Sequence, residues 1–169
     1  MRKLTATFCL TFAVLLGSVG VSTSNEFIKC LKSYLCEDPQ RAAIFVERLA
    51  EQGDVSAQKA LGDAYFTGKI TFTSQIHQDY KRAVKWYRRA AEQGNADAQH
   101  SLGLMIDDGH GTIKDAVIGY MWVNIAAANG NEHAIYNRPH MEGRLTPYQI
   151  DKANTLAREC MRKNYKNCY

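Results

Sequence analysis

Ser56 and Lys59 form the pattern in this chain that comes nearest to a catalytic motif. Ser-x-x-Lys carries the nucleophilic serine of penicillin-recognising enzymes. The Ser-Asp-Asn and Lys-Thr-Gly motifs that accompany it in those enzymes do not occur in the sequence. A pattern with two fixed positions recurs by chance, and the Ala57-Gln58 pair inside it belongs to a repeat described below. We therefore interpret these residues as structural and expect no catalysis, with covalent chemistry at Ser56 as the alternative.

Histidine is the second residue type that could support chemistry, as a metal ligand. None of the histidines forms a His-x-x-x-His pair with a carboxylate between, the spacing of helical zinc sites. His133 and His140 are seven residues apart with Pro139 between them, which argues against a shared helical face. We predict neither a metal site nor a cofactor. The five histidines are His77, His100, His110, His133 and His140.

The N-terminal segment has the layout of a secretory signal peptide. A basic start is followed by 18 uncharged residues, 4–21, and then by small residues around a plausible cleavage site. We assign residues 1–24 to the signal and expect a periplasmic or secreted protein; a retained membrane anchor is the alternative. Loss of Arg2 and Lys3 leaves 19 basic residues against 17 acidic ones. These charges are interspersed along the sequence, so we predict no binding to nucleic acid or to a membrane surface.

The cysteines that follow this segment lie in two terminal pairs, Cys30 with Cys36 and Cys160 with Cys168. Neither spacing matches the Cys-x-x-Cys pattern of zinc ligands, so we expect disulfides in an oxidising compartment. Four cysteines allow three connectivities. We favour the two local pairs, because a stack of repeats normally holds its two ends apart.

The elements that position these residues follow from a repeat in the sequence. The segment Ala50-Glu51-Gln52-Gly53 returns 41 residues later, and a looser copy ends at Gly130, which is 36 residues after Gly94. Self-similarity at this period indicates stacked supersecondary units. We place two repeats at about 54–94 and 95–130, with partial copies at both ends, in one domain spanning 25–169.

Each repeat is predicted to be a pair of helices, which makes the chain an all-α, α/α solenoid of helix-turn-helix units with capping helices at both ends. Apolar residues recur at spacings of three and four over 55–66, 80–93, 95–107 and 115–129, and no stretch alternates with period two. Alanine and glycine let the helix axes approach closely, while Trp86, Trp122, Tyr65 and Tyr87 fill the wider gaps. Because Gly119 and Val123 replace the expected alanine and tyrosine of the second copy, we expect this late repeat to be looser.

A second stripe runs along the first helix of each repeat, off the buried face. Its residues differ between the two copies, unlike the structural positions, and equivalent faces line up on one side of a solenoid. We therefore predict a partner-binding face here, with an ordinary solvated face as the alternative. The stripe consists of Ser56, Lys59, Asp63 and Phe66 in one copy and Asp97, His100, Leu104 and Asp107 in the next.

The repeat resembles the Sel1-like repeat, a bacterial relative of the tetratricopeptide repeat. The residues that carry the resemblance are Asp79-x-x-Arg82-Ala83-x-x-Trp86-Tyr87-x-x-Ala90-Ala91-x-x-Gly94-x-x-x-Ala98-Gln99-x-x-Leu102-Gly103. The resemblance implies an α/α solenoid that acts as a scaffold for binding another protein. Some cysteine-rich secreted members have been credited with penicillin-binding or β-lactamase activity. Those members carry a cysteine pair in each repeat, whereas 37–159 contains no cysteine here.

Overall fold

The computed structural model describes residues 39–69 and 76–168 of the 169-residue chain. The predicted signal segment and the Cys30–Cys36 pair lie outside the described residues. The chain divides into two compact units, of which the first ends at Phe45 and the second spans 46–169. Within the described ranges there are seven helices: α1 (Pro39–Glu51), α2 (Val55–Thr67), α3 (Tyr80–Ala91), α4 (Ala96–Asp108), α5 (Ala116–Ala128), α6 (Glu132–Glu142) and α7 (Pro147–Arg162).

Consecutive helices of the second unit pack against one another along the chain. Helix α2 packs on α3, α3 on α4, and α4 on α5, while α5 also contacts α6 and α7. Each helical hairpin therefore rests on the next one, which confirms the predicted all-α repeat architecture. No helix in the described part of the chain is both long enough and apolar enough to cross a bilayer.

The turns that begin each repeat share the same capping arrangement. A glycine with positive φ ends the preceding hairpin, and the Asp or Asn that follows caps the next helix by accepting a hydrogen bond from a backbone N–H. The caps are Asp54, Asn95 and Asn131, whose Oδ1 atoms accept from Ala57, Ala98 and Ala134 at 2.7, 2.8 and 2.7 Å, and the glycines are Gly53, Gly94 and Gly130, with φ of 100°, 87° and 85°. The period in the sequence is thus the distance along the chain from the start of one repeat's first helix to the next.

The repeated Ala-Gln pair has a structural explanation in its glutamine. Gln99 is fully buried, its Nε2 donates to the carbonyl oxygen of Ala91 at 3.1 Å, and its Oε1 accepts from Asn129 at 2.8 Å. Both ends of the buried amide are therefore bonded, as a buried amide requires. The equivalent bonds in the preceding repeat are Gln58 Nε2 to Ala50 O at 3.0 Å and Gln93 Nε2 to Gln58 Oε1 at 2.8 Å.

The repeated Leu-Gly pair marks where the two helices of a hairpin approach most closely. A Cβ on Gly62 would lie 2.4 Å from the Tyr87 ring. The lack of a side chain at Gly62 therefore makes room for that ring. A Cβ on Gly103 would lie 2.8 Å from the backbone oxygen of Gly119 and 2.7 Å from a methyl group of Val123. The expectation of a looser second repeat is wrong, because the small residue at 119 lets α4 and α5 meet backbone to backbone.

The predicted aromatic core is buried, with one difference. Trp86, Trp122 and Tyr87 have exposed fractions of 5%, 1% and 2%, whereas Tyr65 is half-buried. The sequence analysis gave no bounds for helix α6, because Pro139 lies inside it. The proline removes only one backbone N–H donor, and the carbonyl group that loses this partner belongs to Ile135. Ile135 lies on a side of the helix that is open to solvent. His133 and His140 therefore do share one helix.

The C-terminal tail folds back on the repeats. Cys160 and Cys168 are joined by a disulfide, and Cys160 is fully buried. Tyr165 lies between them, donates its hydroxyl hydrogen to Asn129 Oδ1 at 3.1 Å, and places its ring against Gly94. The disulfide thus closes a short loop that covers the turns at the ends of α3 and α5.

Candidate functional site

The predicted stripe is only partly open to solvent. Ser56, Phe66 and Asp97 are exposed, whereas Lys59, Asp63, His100 and Leu104 are half-buried. Asp107 is 4% exposed and does not lie on an open face. Asp107 lies in the last turn of α4, and a Cβ added to Gly119 would be 2.9 Å from the Cβ of Asp107. The Oδ2 atom of Asp107 accepts a hydrogen bond from Arg144 at 2.7 Å. We therefore exclude Asp107 from the candidate surface. Its carboxylate instead binds Arg144 in the segment after α6.

The charged residues of α2 are engaged with each other. Lys59 donates to Asp63 at 2.6 Å, and the other oxygen of that carboxylate accepts from the Tyr87 hydroxyl at 2.8 Å. Burial, with the nearby negative charge of Asp63, raises the pKa of Tyr87. None of the hydrogen bonds in the described part of the chain joins Lys59 to Ser56. The Ser-x-x-Lys pattern thus places an exposed serine one turn from a lysine whose ammonium group is held by a carboxylate.

The stripe residues of α4 contact helix α6 and its N-cap. Asn131 donates to Asp97 at 2.6 Å, and the amide nitrogen of Asn137 lies 2.9 Å from His100 Nε2. The rings of His100 and His133 stack with centroids 6.2 Å apart. Burial is the main cause that lowers the pKa of His100, and His133 lowers it further, while Asp97 acts in the opposite direction. One side of the α4 stripe is therefore an inter-repeat contact.

The other side of the α4 stripe opens on a pocket of about 190 Å³. Helices α2, α3 and α4 and the loop after α4 all contribute to its walls, which are mainly apolar. Three residues of the predicted stripe, Phe66, His100 and Leu104, take part although they come from two successive repeats. The lining residues are Phe66, Tyr87, His100, Ser101, Leu104, Met105, Asp108 and His110.

A row of three rings lies beside this pocket, and two of them, Phe66 and His110, line it. Phe66 and Tyr80 have centroids 5.7 Å apart, and the His110 ring stacks on Tyr80 at 4.8 Å. A Cβ on Gly111, whose φ is 72°, would lie 2.3 Å from the backbone carbon of Tyr80, so only glycine fits there. Sequence reasoning gave His110 no role, and the signal that points to it is its position between the two glycines Gly109 and Gly111.

The size of the pocket limits what it can bind. Sites for small-molecule ligands usually measure about 300–1,000 Å³, which is more than this pocket offers. A cavity of roughly 150 Å³ is large enough for a single ring such as benzene. The pocket is therefore large enough for one apolar side chain. Within the described ranges, no group of three or more His, Cys, Asp and Glu side chains is arranged to hold a metal ion.

Comparisons with known proteins agree with this architecture. The family model described as the Sel1 repeat matches residues 37–54, 55–95 and 96–131. A crystal structure of a protective antigen with an SLR fold, present in uropathogenic Escherichia coli strains, is similar with a TM-score of 0.68 and 31% identity over 75% of this chain. This chain spans only 26% of that antigen.

A second crystal structure, of a Sel1 repeat protein from Oxalobacter formigenes, is similar with a TM-score of 0.59 and 32% identity. The match covers 66% of this chain and 84% of that protein. No curated protein sequence matches the chain.

Proposed function

Since the chain belongs to the Sel1 repeat family, we propose that it is an exported scaffold that binds another protein through the face of α2 and α4. Sel1 repeats are typically scaffolds for protein–protein interaction. The observation that carries the proposal is the pocket between successive repeats, which Phe66 of one repeat lines together with His100 and Leu104 of the next. The mechanism is surface presentation, in which no covalent bond is made or broken.

The pocket has the features of an anchor site. Interfaces draw most of their affinity from a few side chains that enter well-packed pockets, surrounded by contacts that exclude water. Tyr87 and Met105 form a rigid floor because they are 2% exposed. Phe66, at 38% exposed, and the half-buried Leu104 leave apolar surface that a partner side chain would cover. We therefore place the partner's anchor residue against these two side chains.

Export is part of the proposal and has separate support. The signal-like segment 1–24 leads the chain, and the Cys160–Cys168 disulfide is a bond that persists mainly in oxidising compartments. One structural neighbour is described as a protective antigen. We propose on this basis that the mature protein works in the periplasm or outside the cell.

Site-specific photo-crosslinking tests the binding face. A photoreactive phenylalanine analogue replaces Phe66 in the full-length protein, which is irradiated in the cells that naturally produce it. We expect one discrete protein adduct. Leu104→Gln in the same chain should reduce that adduct about tenfold, because an apolar contact at an anchor site is worth about 1–2 kcal/mol. A circular dichroism melt of the Leu104→Gln protein verifies that the fold survives.

The matched control carries the same analogue at Ile113, which is 87% exposed and lies outside the pocket. We expect that position to give little or no adduct. The proposed face is wrong if the analogues at 66 and 113 give the same adducts, or if Leu104→Gln leaves the adduct at 66 unchanged while the protein stays folded.

A further inference from the structure

Helix α3 carries a row of positive charges on one face. Lys81, Lys85 and Arg89, here named the basic ridge, follow one another at intervals of four residues, and all three are exposed. Residues four apart lie above one another on a helix, so the three charges line up over about 12 Å. The charges that looked interspersed along the sequence are therefore gathered by the helix.

The corresponding positions in the next repeat are apolar instead of basic. The equivalent positions of α5, 36 residues later, are Val117, Met121 and Ile125, and the last two are fully buried. Helix α7 packs on α5, and Asn124 Nδ2 donates to Asn154 of α7 at 2.8 Å. The equivalent positions are therefore apolar on α5, on which α7 packs, and basic on α3.

None of the ion pairs in the described part of the chain involves the basic ridge. The ion pair of α3 found there joins its neighbour Arg82 to Asp79, at 3.4 Å. Like charges four residues apart destabilise a helix, and α3 has no acidic residue in its first turn to offset Lys81. Arg89 lies in the last turn, where the helix dipole favours a cation, so the cost of the ridge to the helix comes from Lys81 and from the spacing of like charges. That cost, with no ion pair to offset it, favours a role outside the fold.

Two of the three charges are held in place by an aromatic ring. Lys85 Nζ lies 5.7 Å and Arg89 Cζ 4.8 Å from the centre of the Trp86 ring. Cation–π contacts of this kind restrict the long side chains without neutralising them. A partner that binds here loses less side-chain freedom than on a flexible surface, because the positions of the cations are already set.

We propose that the basic ridge binds an acidic segment of a partner protein. The charges are about 6 Å apart along the helix axis, which matches carboxylates on every second residue of an extended strand, about 6.8 Å apart. Recognition of an anionic membrane usually needs a cluster of about 4–8 basic residues. The ridge has three, and its exposed neighbour Arg82 is paired with Asp79. The surface is separate from the α2/α4 face, since Lys85 is roughly 160° around the helix from Tyr87.

Fluorescence anisotropy with a labelled polyglutamate peptide tests the ridge in the full-length protein. We expect binding that weakens as salt is added, because exposed charges are screened. The triple reversal K81E/K85E/R89E should raise the dissociation constant at least about tenfold, given three exposed charge pairs. The conservative variant K81R/K85R/R89K, which keeps the charge, should bind within about twofold of the wild type.

The matched control is K152E/R158E/R162E on α7, which reverses three exposed basic residues and changes the net charge equally. We expect it to bind polyglutamate nearly as well as the wild type. Equal losses in both triple variants would assign the binding to net charge alone and overturn the proposal. Absence of peptide binding would also overturn it, as would ridge-dependent binding to phosphatidylglycerol vesicles without binding to polyglutamate.

Discussion

Replacing Gly103 with alanine should destabilise the protein, although alanine is the better helix former. Gly103 lies in the interior of α4, where an exposed glycine would cost about 1 kcal/mol relative to alanine. The added Cβ, however, would lie 2.8 Å from the oxygen of Gly119 and 3.0 Å from the backbone nitrogen of Val123. Backbone atoms cannot rotate away, so α4 and α5 must move apart.

The two effects can be weighed against each other. Overpacking of a tight core site costs about 1–3 kcal/mol, and rigid backbone neighbours place this site at the upper end of that range. Subtraction of the gain of about 1 kcal/mol in helix propensity leaves a net loss of about 2 kcal/mol in the free energy of unfolding. For a domain of this size, that loss lowers the melting temperature by about 8 °C.

Urea unfolding followed by tryptophan fluorescence measures this loss, because Trp86 and Trp122 are both buried. Gly143→Ala is the matched control, since Gly143 has φ of −61° and its added Cβ would have no neighbour closer than 3.8 Å. We expect that control to change stability by less than about 1 kcal/mol. If Gly103→Ala is as stable as the wild type, the close approach of α4 and α5 is refuted.

Two further predictions concern pH and the disulfide. The folded state lowers the pKa of His100 below its unfolded value of about 6.5. Its stabilising contribution is therefore fully present above the unfolded pKa and is lost as the pH falls from there through the folded pKa. Urea midpoints between about pH 7.5 and pH 5.5 should fall less in His100→Gln than in the wild type, and equal slopes would contradict this. Cys160 and Cys168 are eight residues apart, so Cys160→Ser with Cys168→Ser should lower the free energy of unfolding by about 2.5 kcal/mol from loop entropy; calorimetry that finds no loss would contradict the structural role of this bridge.

Several features of the fold could be predicted from the sequence because they depend on neighbours along the chain. The bounds of α2, α3, α4 and α5 follow from apolar spacing and from caps such as Asp54 and Asn95, which act within one turn. Helix α6 was given no bounds from the sequence, because the same reliance on neighbours along the chain works against it. Local rules weigh Pro139 against a helix, and they do not record that its side of the helix is open to solvent.

The candidate site required the tertiary structure. Helical spacing placed Asp107 in the stripe, but Arg144, 37 residues further on, bonds it in a buried position. The pocket beside Leu104 needs Tyr87 from another helix and His110 from a loop, and no periodicity links these residues.

By itself, the sequence determined the repeat, the helices and the small residues at their contacts, because a helix and its caps are decided within a few residues. Only the tertiary structure decided which faces remain open. Met121 of α5, the helix on which α7 packs, is fully buried, whereas Lys85 at the equivalent position of α3 is exposed. Burial depends on whichever element lies opposite in space, and that element can come from any part of the chain.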